Sequence, residues 1–324
     1  MTRVAAIDCG TNTIRLLVAE AHRDDSGRPH LEVLRRRNEI VRLGQGVDRT
    51  GLLDPEALER TLAAVASYAA DCAELGVAPG GDVRRFVATS ATRDARNRED
   101  FVAGVRRLLG IEPEVVSGQE EARLSFTGSL LGARESADGG AAPRLVVDLG
   151  GGSTEFVVGS HGGPISGSYS AQMGCVRLSE RIMRSNPATA EEVTQADAYV
   201  AEQLARVRAD VPIGSTRTLV GCAGTFTTLS ALAQGLETYD SHAIHGSVLR
   251  FDALRVLTAQ LIRESSEQLS INPVIHPGRA DVIAGGAVVV NGIMALLAEE
   301  ADVHTMTISE KDILDGIIAE LAGE

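Results

Sequence analysis

The same sequence pattern occurs twice in this chain, and it constrains the fold more than any other feature. Each copy is an apolar run, then Asp-x-Gly, then a short polar tip, then a second apolar run. The copies span residues 4–18 and 145–158, so that Asp8 aligns with Asp148. Apolar, β-branched runs on both sides of a tight turn predict a β-hairpin. The repeat therefore predicts two halves that are built alike, and each half opens with a hairpin.

The two hairpins disfavour two common nucleotide-binding folds. In a Rossmann fold and in a P-loop, the glycine-rich tip is followed by a helix. Here each tip leads into a second strand-like run. Lys311 is the single lysine of the chain and is remote from both tips, so the phosphate-binding lysine of a P-loop is missing.

Helical and strand-like segments alternate after each hairpin. Asp54 followed by Pro55 is typical of a helix start. Ser117 and Glu120 form a capping-box pattern, in which the Glu120 side chain is expected to reach back to the start of the helix. The run at 219–221 predicts a strand that leads into a third glycine-containing tip. Together these patterns predict a duplicated α/β fold with a cleft between its halves.

Composition narrows the classes of partner. A net charge of −13 and the absence of tryptophan disfavour a general nucleic-acid binder. Arginine clusters at 35–37, 93–98 and 106–107 could contact a polyanion, or they could be surface faces that are paired with acids. The four cysteines form no CxxC pair and are expected to be buried thiols.

The sequence favours a cytoplasmic protein without a membrane partner. The first residues lead directly into a strand-like segment without the pattern of a signal peptide. No stretch approaches the roughly 18 apolar residues that a membrane span needs.

Blocks along essentially the whole chain resemble the exopolyphosphatase / guanosine pentaphosphate phosphohydrolase (Ppx/GppA) family. Two of the blocks are the hairpins, with the runs IDCGTNT and DLGGGSTE at their tips. The other blocks, in chain order, are residues 88–97, 117–124, 174–178, 221–225 and 279–281.

The resemblance implies a fold of the actin-like ATPase superfamily, with duplicated ribonuclease-H-like domains and an interdomain cleft. It implies the short two-domain form of the family. Domain I is expected to comprise residues 1–125 together with a returning C-terminal helix at about 309–324. Domain II is expected to comprise residues 126–308.

The hairpin tips and the third tip are predicted to bind phosphate. Glycine lets backbone N–H groups approach phosphate oxygens, and hydroxyl and amide side chains add donors. The alternative is that these segments are only tight turns. The predicted phosphate-binding residues are Gly10, Thr11, Asn12, Thr13, Gly150, Gly151, Gly152, Ser153, Gly224 and Thr225.

Carboxylates beside the tips are predicted to hold Mg²⁺, with Mn²⁺ as an alternative. Asp148 and Glu155 lie across the second hairpin from each other, and Mg²⁺ is usually bound by one or two carboxylates with water and phosphate. Asp8 is their counterpart in the first hairpin and is expected to join through water. For Asp8, a turn-stabilising role is the alternative.

Glu121 is the predicted general base, because the resemblance places the catalytic glutamate of the family there. Glutamates are also common in first turns because they suit the helix dipole. Arg93 is predicted to bind phosphoryl oxygens, with a surface ion pair to Asp94 or Glu99 as the alternative. Arg177 and Arg279 are further candidates for contacts with the substrate, by resemblance.

The function implied by the resemblance is Mg²⁺-dependent release of terminal orthophosphate. The substrate would be inorganic polyphosphate, guanosine pentaphosphate, or both, and a second copy of the chain could be a partner. Two alternatives stay open: an actin-like-fold kinase that uses ATP, and a regulator that binds guanosine tetra- or pentaphosphate with little or no catalysis.

Overall fold

A computed structural model of the chain describes residues 2–23, 29–131, 142–160 and 163–323. The chain divides into two compact units. Unit 1 comprises Met1–Gly128 and Ile313–Glu324, and unit 2 comprises Ser129–Asp312.

Strands and helices alternate along both units. The strands are β1 (Thr2–Cys9), β2 (Thr13–Arg23), β3 (Pro29–Ile40), β4 (Arg84–Ala88), β5 (Glu114–Val115), β6 (Arg144–Leu149), β7 (Thr154–Gly159), β8 (Ile165–Ala171), β9 (Thr218–Cys222), β10 (Val248–Arg250) and β11 (Thr305–Ser309). The helices are α1 (Val47–Thr50), α2 (Pro55–Glu74), α3 (Ser90–Asp94), α4 (Arg98–Leu109), α5 (Gly118–Leu130), α6 (Cys175–Arg181), α7 (Ala190–Asp210), α8 (Gly224–Ala233), α9 (Ser241–Ile244), α10 (Phe251–Arg263), α11 (Ser266–Leu269), α12 (Pro277–Ala280), α13 (Ile283–Glu300) and α14 (Ile313–Leu321), and a short 3₁₀ helix covers Ile213–Ser215.

The sheet of unit 1 is built around the first predicted hairpin. Its strand order is β3-β2-β1-β4-β5. β1 pairs antiparallel with β2 and parallel with β4, and the hairpin register places Asp8 opposite Arg15. The first hairpin prediction is therefore confirmed.

The sheet of unit 2 repeats this arrangement. Read from β8, its order is β8-β7-β6-β9-β11, and β10 is added at the far edge. β6 pairs antiparallel with β7 and parallel with β9, and Asp148 lies opposite Glu155. Both sheets thus have the strand order expected of duplicated ribonuclease-H-like domains, and the predicted fold class is confirmed.

The central strand of unit 1 is buried on both faces from Val4 onwards, as its apolar run Val4–Ile7 predicts. On one face Ala5 and Ile7 pack in a core with residues of α2 and α4. On the other face Val4 and Ala6 pack against Ile317 and other apolar residues of α14. α14 therefore covers this face of the sheet together with Leu124 of α5.

α14 lies very close to α5. A Cβ atom at Gly316 would be only 2.1 Å from the carbonyl oxygen of Leu124, which is a backbone atom that cannot rotate away. Ion pairs join α14 to the rest of unit 1 on both sides, since Asp315 binds Arg36 at 2.6 Å and Glu320 binds Arg123 at 2.5 Å.

The arginines of the edge strand β3 are paired with acids within unit 1. Arg35 Nη1 contacts Asp71 Oδ1 at 2.5 Å, and Arg37 Nη1 contacts Asp71 Oδ2 at 2.5 Å. Arg36 has Asp315 as its partner. The arginines at 35–37 are therefore paired with acids, which is the second of the two alternatives for this cluster. Charged side chains on an edge strand also discourage pairing with another chain.

α13 is a long apolar helix of 18 residues. By length and composition it could cross a membrane, so the expectation that no segment approaches a membrane span is wrong for this helix. Within unit 2, however, 61% of its 18-residue apolar window is buried, and Val288, Val289 and Val290 are fully covered. A core helix passes the same test, so this segment is weak support for a membrane span.

We expect Gly316→Ala to lower the free energy of unfolding by about 1–3 kcal/mol, because the added methyl group must push α14 away from α5. Urea denaturation measures this change. The matched control is Gly81→Ala, since a Cβ atom at Gly81 would meet no atom within 4 Å. Equal stability of the two variants would contradict the close packing of α14.

Candidate active site

The tip of the first hairpin (loop 1, residues 10–13) is closed by its own backbone. Gly10 N–H donates to the carbonyl of Thr13 at 2.9 Å, so this amide completes the turn. The side chains of Thr11 and Asn12 are buried at the tip. The hydroxyl of Thr11 hydrogen-bonds that of Ser90 at 2.8 Å, which joins loop 1 to the start of α3.

Ser90 is a residue that the sequence reasoning missed. It lies in the block at 88–97, which was singled out for Arg93 alone. β4 runs parallel to β1, so its carboxyl end, and the helix that follows it, lie beside the tip of the first hairpin. The parallel pairing of the two strands was the missing signal, because it is not visible in either segment by itself.

The tip of the second hairpin (loop 2, residues 150–153) is closed in the same way. Gly150 N–H donates to the carbonyl of Ser153 at 3.0 Å. As in loop 1, the amide of the first glycine belongs to the turn. The amides of residues 151–153, which follow Gly150, are the candidates for binding an anion.

Two buried carboxylates lie opposite each other beside loop 2. Asp148 is 7% exposed and Glu155 is 1% exposed, and they are cross-strand partners in the β6–β7 register. Directly opposite Cβ atoms in such a pair are about 4.5–5.5 Å apart, and like charges there are destabilising. Ser170 Oγ donates to Glu155 Oε1 at 2.7 Å. Two neighbouring carboxylates are oxygen donors of the kind and number that Mg²⁺ takes from a protein, so the donor set fits Mg²⁺.

In the first hairpin, Arg15 stands opposite Asp8, at the position that Glu155 occupies in the second hairpin. The charge at this position is therefore positive in the first hairpin and negative in the second. Arg15 Nη2 and Nε contact Asp8 Oδ2 at 2.6 and 3.1 Å. The Asp8 carboxylate also acts together with burial to raise the pKa of the Cys9 thiol well above its usual value, with burial the larger cause. All four cysteines are buried and free of disulfides, as predicted.

The third tip (loop 3, residues 222–225) combines strain with close packing. Ala223 has φ 71° and ψ 177°, a backbone conformation that is nearly restricted to glycine. Gly224 begins α8, and a Cβ atom there would overlap the guanidinium of Arg279. Arg279 Nη1 donates to Thr228 Oγ1 at 3.3 Å. Thr225 is buried, and it fills the space above Gly286.

The predicted base and the predicted phosphate-binding arginine are brought together in unit 1. Arg93 Nη1 lies 3.4 Å from Glu121 Oε2 and donates to the carbonyl of Val116 at 2.8 Å. Glu121 lies in the first turn of α5, where its amide donates to the carbonyl of Ser117. Arg93 therefore contacts Glu121, the predicted base.

Glu120 does not cap α5 as the sequence suggested. Its amide donates to Ser117 Oγ at 3.2 Å, but its carboxylate accepts hydrogen bonds from Arg123 at 2.6 and 2.9 Å. A doubly hydrogen-bonding guanidinium one turn ahead outcompetes a single backbone N–H. These hydrogen bonds lower the pKa of Glu120. The two neighbouring glutamates therefore have separate cationic partners.

Among the described residues, no group of three or more His, Cys, Asp and Glu side chains could hold a metal ion. The Asp148–Glu155 pair is within what Mg²⁺ needs from a protein, because water and phosphate complete its coordination. Asp8, the third predicted ligand, lies in unit 1 with Arg15 as its partner.

Comparison with known proteins identifies the family. The model of the Ppx/GppA phosphatase family matches residues 21–323. The chain belongs to the Ppx/GppA phosphatase family. As a Ppx/GppA protein it is a hydrolase that acts on phosphoanhydride bonds, and the family resemblance found in the sequence is confirmed.

Relatives are similar over their whole length. The chain is 48% identical to exopolyphosphatase 2 of Mycobacterium tuberculosis, over 100% of this chain and 99% of that protein. A solved exopolyphosphatase-like protein superposes with a TM-score of 0.92 at 39% identity, covering 99% of both chains. The Ppx/GppA family member of Aquifex aeolicus superposes with a TM-score of 0.78 at 28% identity, covering 98% of this chain and 97% of that one.

We expect Ala223→Gly to raise the free energy of unfolding by about 1 kcal/mol. Relief of the strained backbone gains more than the extra freedom of glycine in the unfolded chain costs. The matched control is Ala201→Gly, in the exposed interior of α7, where the same change should cost about 1 kcal/mol. Thermal and urea denaturation of both variants measure whether each change raises or lowers the stability. A loss of stability in both would show that residue 223 is unstrained.

Proposed function

We propose that this chain is an exopolyphosphatase, which removes the terminal orthophosphate of inorganic polyphosphate with Mg²⁺ as its metal. The Glu121–Arg93 pair in unit 1 is the observation that carries the hydrolytic part of the proposal. The 48% identity to a full-length exopolyphosphatase supports the choice of substrate. Guanosine pentaphosphate ends in the same kind of bond, so it is the second substrate that we propose.

Glu121 is proposed to take the proton from the attacking water. A carboxylate that orients and deprotonates water contributes about 10²–10⁴-fold to a reaction rate. Arg93, which contacts this carboxylate at 3.4 Å, is proposed to keep it in position. Its guanidinium has further donors that suit phosphoryl oxygens as negative charge develops on them.

The glycine-rich tips are proposed to bind the phosphate oxygens. In loop 1 the donors are the hydroxyls of Thr11 and Thr13 and the amide of Asn12. In loop 2 the donors are the backbone amides of residues 151–153 and the hydroxyl of Ser153. In loop 3 they are Gly224 and Thr225. These groups would neutralise charge and orient the terminal phosphate for in-line attack.

Asp148 and Glu155 are proposed to hold the Mg²⁺ ion. When bound, the ion offsets negative charge on the phosphate oxygens and on the leaving group. Ser170, which donates to Glu155 Oε1, would orient that carboxylate. For Asp8 we keep two proposed roles, a water-mediated contact with the metal and a structural ion pair with Arg15.

The test is release of orthophosphate from short-chain polyphosphate, long-chain polyphosphate and guanosine pentaphosphate, with and without Mg²⁺. We expect Glu121→Gln to reduce the Mg²⁺-dependent rate by about 10²-fold or more, with a smaller change in KM. Glu120→Gln is the matched control, because it makes the same change at the adjacent residue, whose carboxylate is held by Arg123.

Equal losses in the Glu121 and Glu120 variants would overturn the base assignment. If the wild-type chain binds guanosine tetraphosphate but releases phosphate from none of the three substrates, the regulator is favoured over the hydrolase. Phosphate transfer from ATP to an acceptor hydroxyl or carboxylate would favour the kinase.

We expect Mg²⁺ to raise the melting temperature of the wild-type chain, because a ligand that binds only the folded state stabilises it. Glu155→Gln and Asp148→Asn should each remove most of this rise. Asp8→Asn discriminates between the two roles of Asp8. If Asp8 contacts the metal, this variant should reduce the Mg²⁺-induced rise in melting temperature. If Asp8 only pairs with Arg15, the rise should be unchanged. An unchanged rise in the Glu155 and Asp148 variants would show that the metal binds elsewhere.

A further inference from the structure

The carbonyl groups of loop 2 are held by the start of α6. Cys175 N–H donates to the carbonyl of Gly150 at 3.1 Å. The carbonyl of Gly151 accepts from the amides of Val176 and Arg177, at 2.9 and 3.0 Å. Two successive carbonyls of the tip therefore point towards this helix.

The side chain of Arg177 holds the next carbonyl. Its Nε donates to the carbonyl of Gly152 at 2.7 Å, a short bond from a charged donor. The helix can come this close only because residue 174 is glycine. A Cβ atom at Gly174 would be 2.4 Å from the carbonyl oxygen of Gly151 and 2.7 Å from the amide nitrogen of Gly152.

The direction of these carbonyls sets the direction of the neighbouring amides. In a trans peptide the C=O of one residue and the N–H of the next point in opposite directions. The cis peptide that the described residues contain is Asn186–Pro187, outside loop 2. With the carbonyls of residues 150–152 directed at α6, the amides of residues 151–153 are directed away from it. Successive amides on one side of a turn make an anion-binding concavity.

We infer that Arg177 is a positioning residue for phosphate binding: its Nε orients the Gly152–Ser153 peptide so that the amide of Ser153 faces the phosphate. The inference deepens the proposed function and rests on the assignment of loop 2 as a phosphate loop. It gives Arg177 a different role from the direct substrate contact that the sequence suggested, because Nε acts on the backbone of the loop.

Loop 1 is held in a similar way, by backbone amides. Gly44 N–H donates to the carbonyl of Thr11 at 2.8 Å, and the amides of Val41 and Arg42 donate to that of Asn12 at 3.0 and 2.9 Å. These donors follow β3, the third strand of the first sheet, just as α6 follows β8 in the second. In both units, backbone amides thus hydrogen-bond the carbonyls of the hairpin tip. In unit 2 the Arg177 side chain adds one more such hydrogen bond.

The test uses three variants that separate an N–H donor from a charge. In glutamine, Nε2 is the same number of bonds from Cα as Nε is in arginine, so Arg177→Gln keeps a donor for Gly152 without a charge. Arg177→Lys keeps the charge, but its ammonium nitrogen lies one bond further out. Arg177→Met keeps neither. Arg181→Met is the matched control, because it removes an arginine of the same helix whose guanidinium lies over the Tyr199 ring.

The measurements are the Kd of inorganic orthophosphate in the presence of Mg²⁺, by calorimetry, and KM and kcat with short-chain polyphosphate. We expect Arg177→Met to raise Kd and KM about tenfold, as loss of a hydrogen bond from a charged donor does. Arg177→Gln should stay near the wild type, Arg177→Lys should resemble Arg177→Met, and kcat should change less than KM. Arg181→Met should change neither constant.

Full activity of Arg177→Lys with loss in Arg177→Gln would overturn the inference and support a direct contact between the charge and the substrate. Wild-type values in Arg177→Met, or equal losses in Arg181→Met, would also overturn it. If the wild-type chain does not hydrolyse polyphosphate, the proposed function fails, but the orthophosphate Kd values still test the role of Arg177. Melting temperatures of all four variants establish that each one is folded.

Discussion

The central strands β1 and β6 are buried on both faces, and the positions of the functional groups follow from that burial. A strand in this setting has no exposed side, so any polar residue on it must be placed at its end. Asp8 and Asp148 stand near the carboxyl ends of these strands, just before the glycines of loops 1 and 2. Each is buried, and each meets the second strand of its own hairpin at one defined position. The residue at that position decides what the aspartate can do.

That position holds Arg15 in unit 1 and Glu155 in unit 2. At this position an arginine forms an ion pair with Asp8, whereas a glutamate places a second carboxylate opposite Asp148, as in the proposed metal site. The two hairpins thus have the same backbone arrangement but different charges opposite the aspartate. A similar division holds on α5, where adjacent helical residues point about 100° apart. Glu120 meets Arg123 on one side, and Glu121 meets Arg93 on another.

The features that the sequence predicts well are local. Both hairpins could be read within about fifteen residues, because glycine turns between apolar runs allow few other structures. The prediction that Glu121 is the base depended on the family resemblance, because glutamates are common in the first turns of helices. The contact between Glu121 and Arg93 is seen only in the structure. The bonds from Ser90 to Thr11 and from Arg177 to Gly152 join distant segments, and no periodicity reports such contacts. The expected cap by Glu120 was wrong because a cationic partner in the next turn competed for the carboxylate.

The return of α14 to unit 1 has a consequence for the order in which the chain can fold. Unit 2 is one continuous segment that precedes α14 in the chain, so all of its residues are translated before those of α14. The face of the first sheet that holds Val4 and Ala6 is only partly covered, by residues such as Leu124 of α5, until Ile317 and its neighbours are made. During synthesis unit 1 therefore completes its core only after unit 2 has been translated. Its apolar strands must stay soluble for the whole time that the other half takes to be translated.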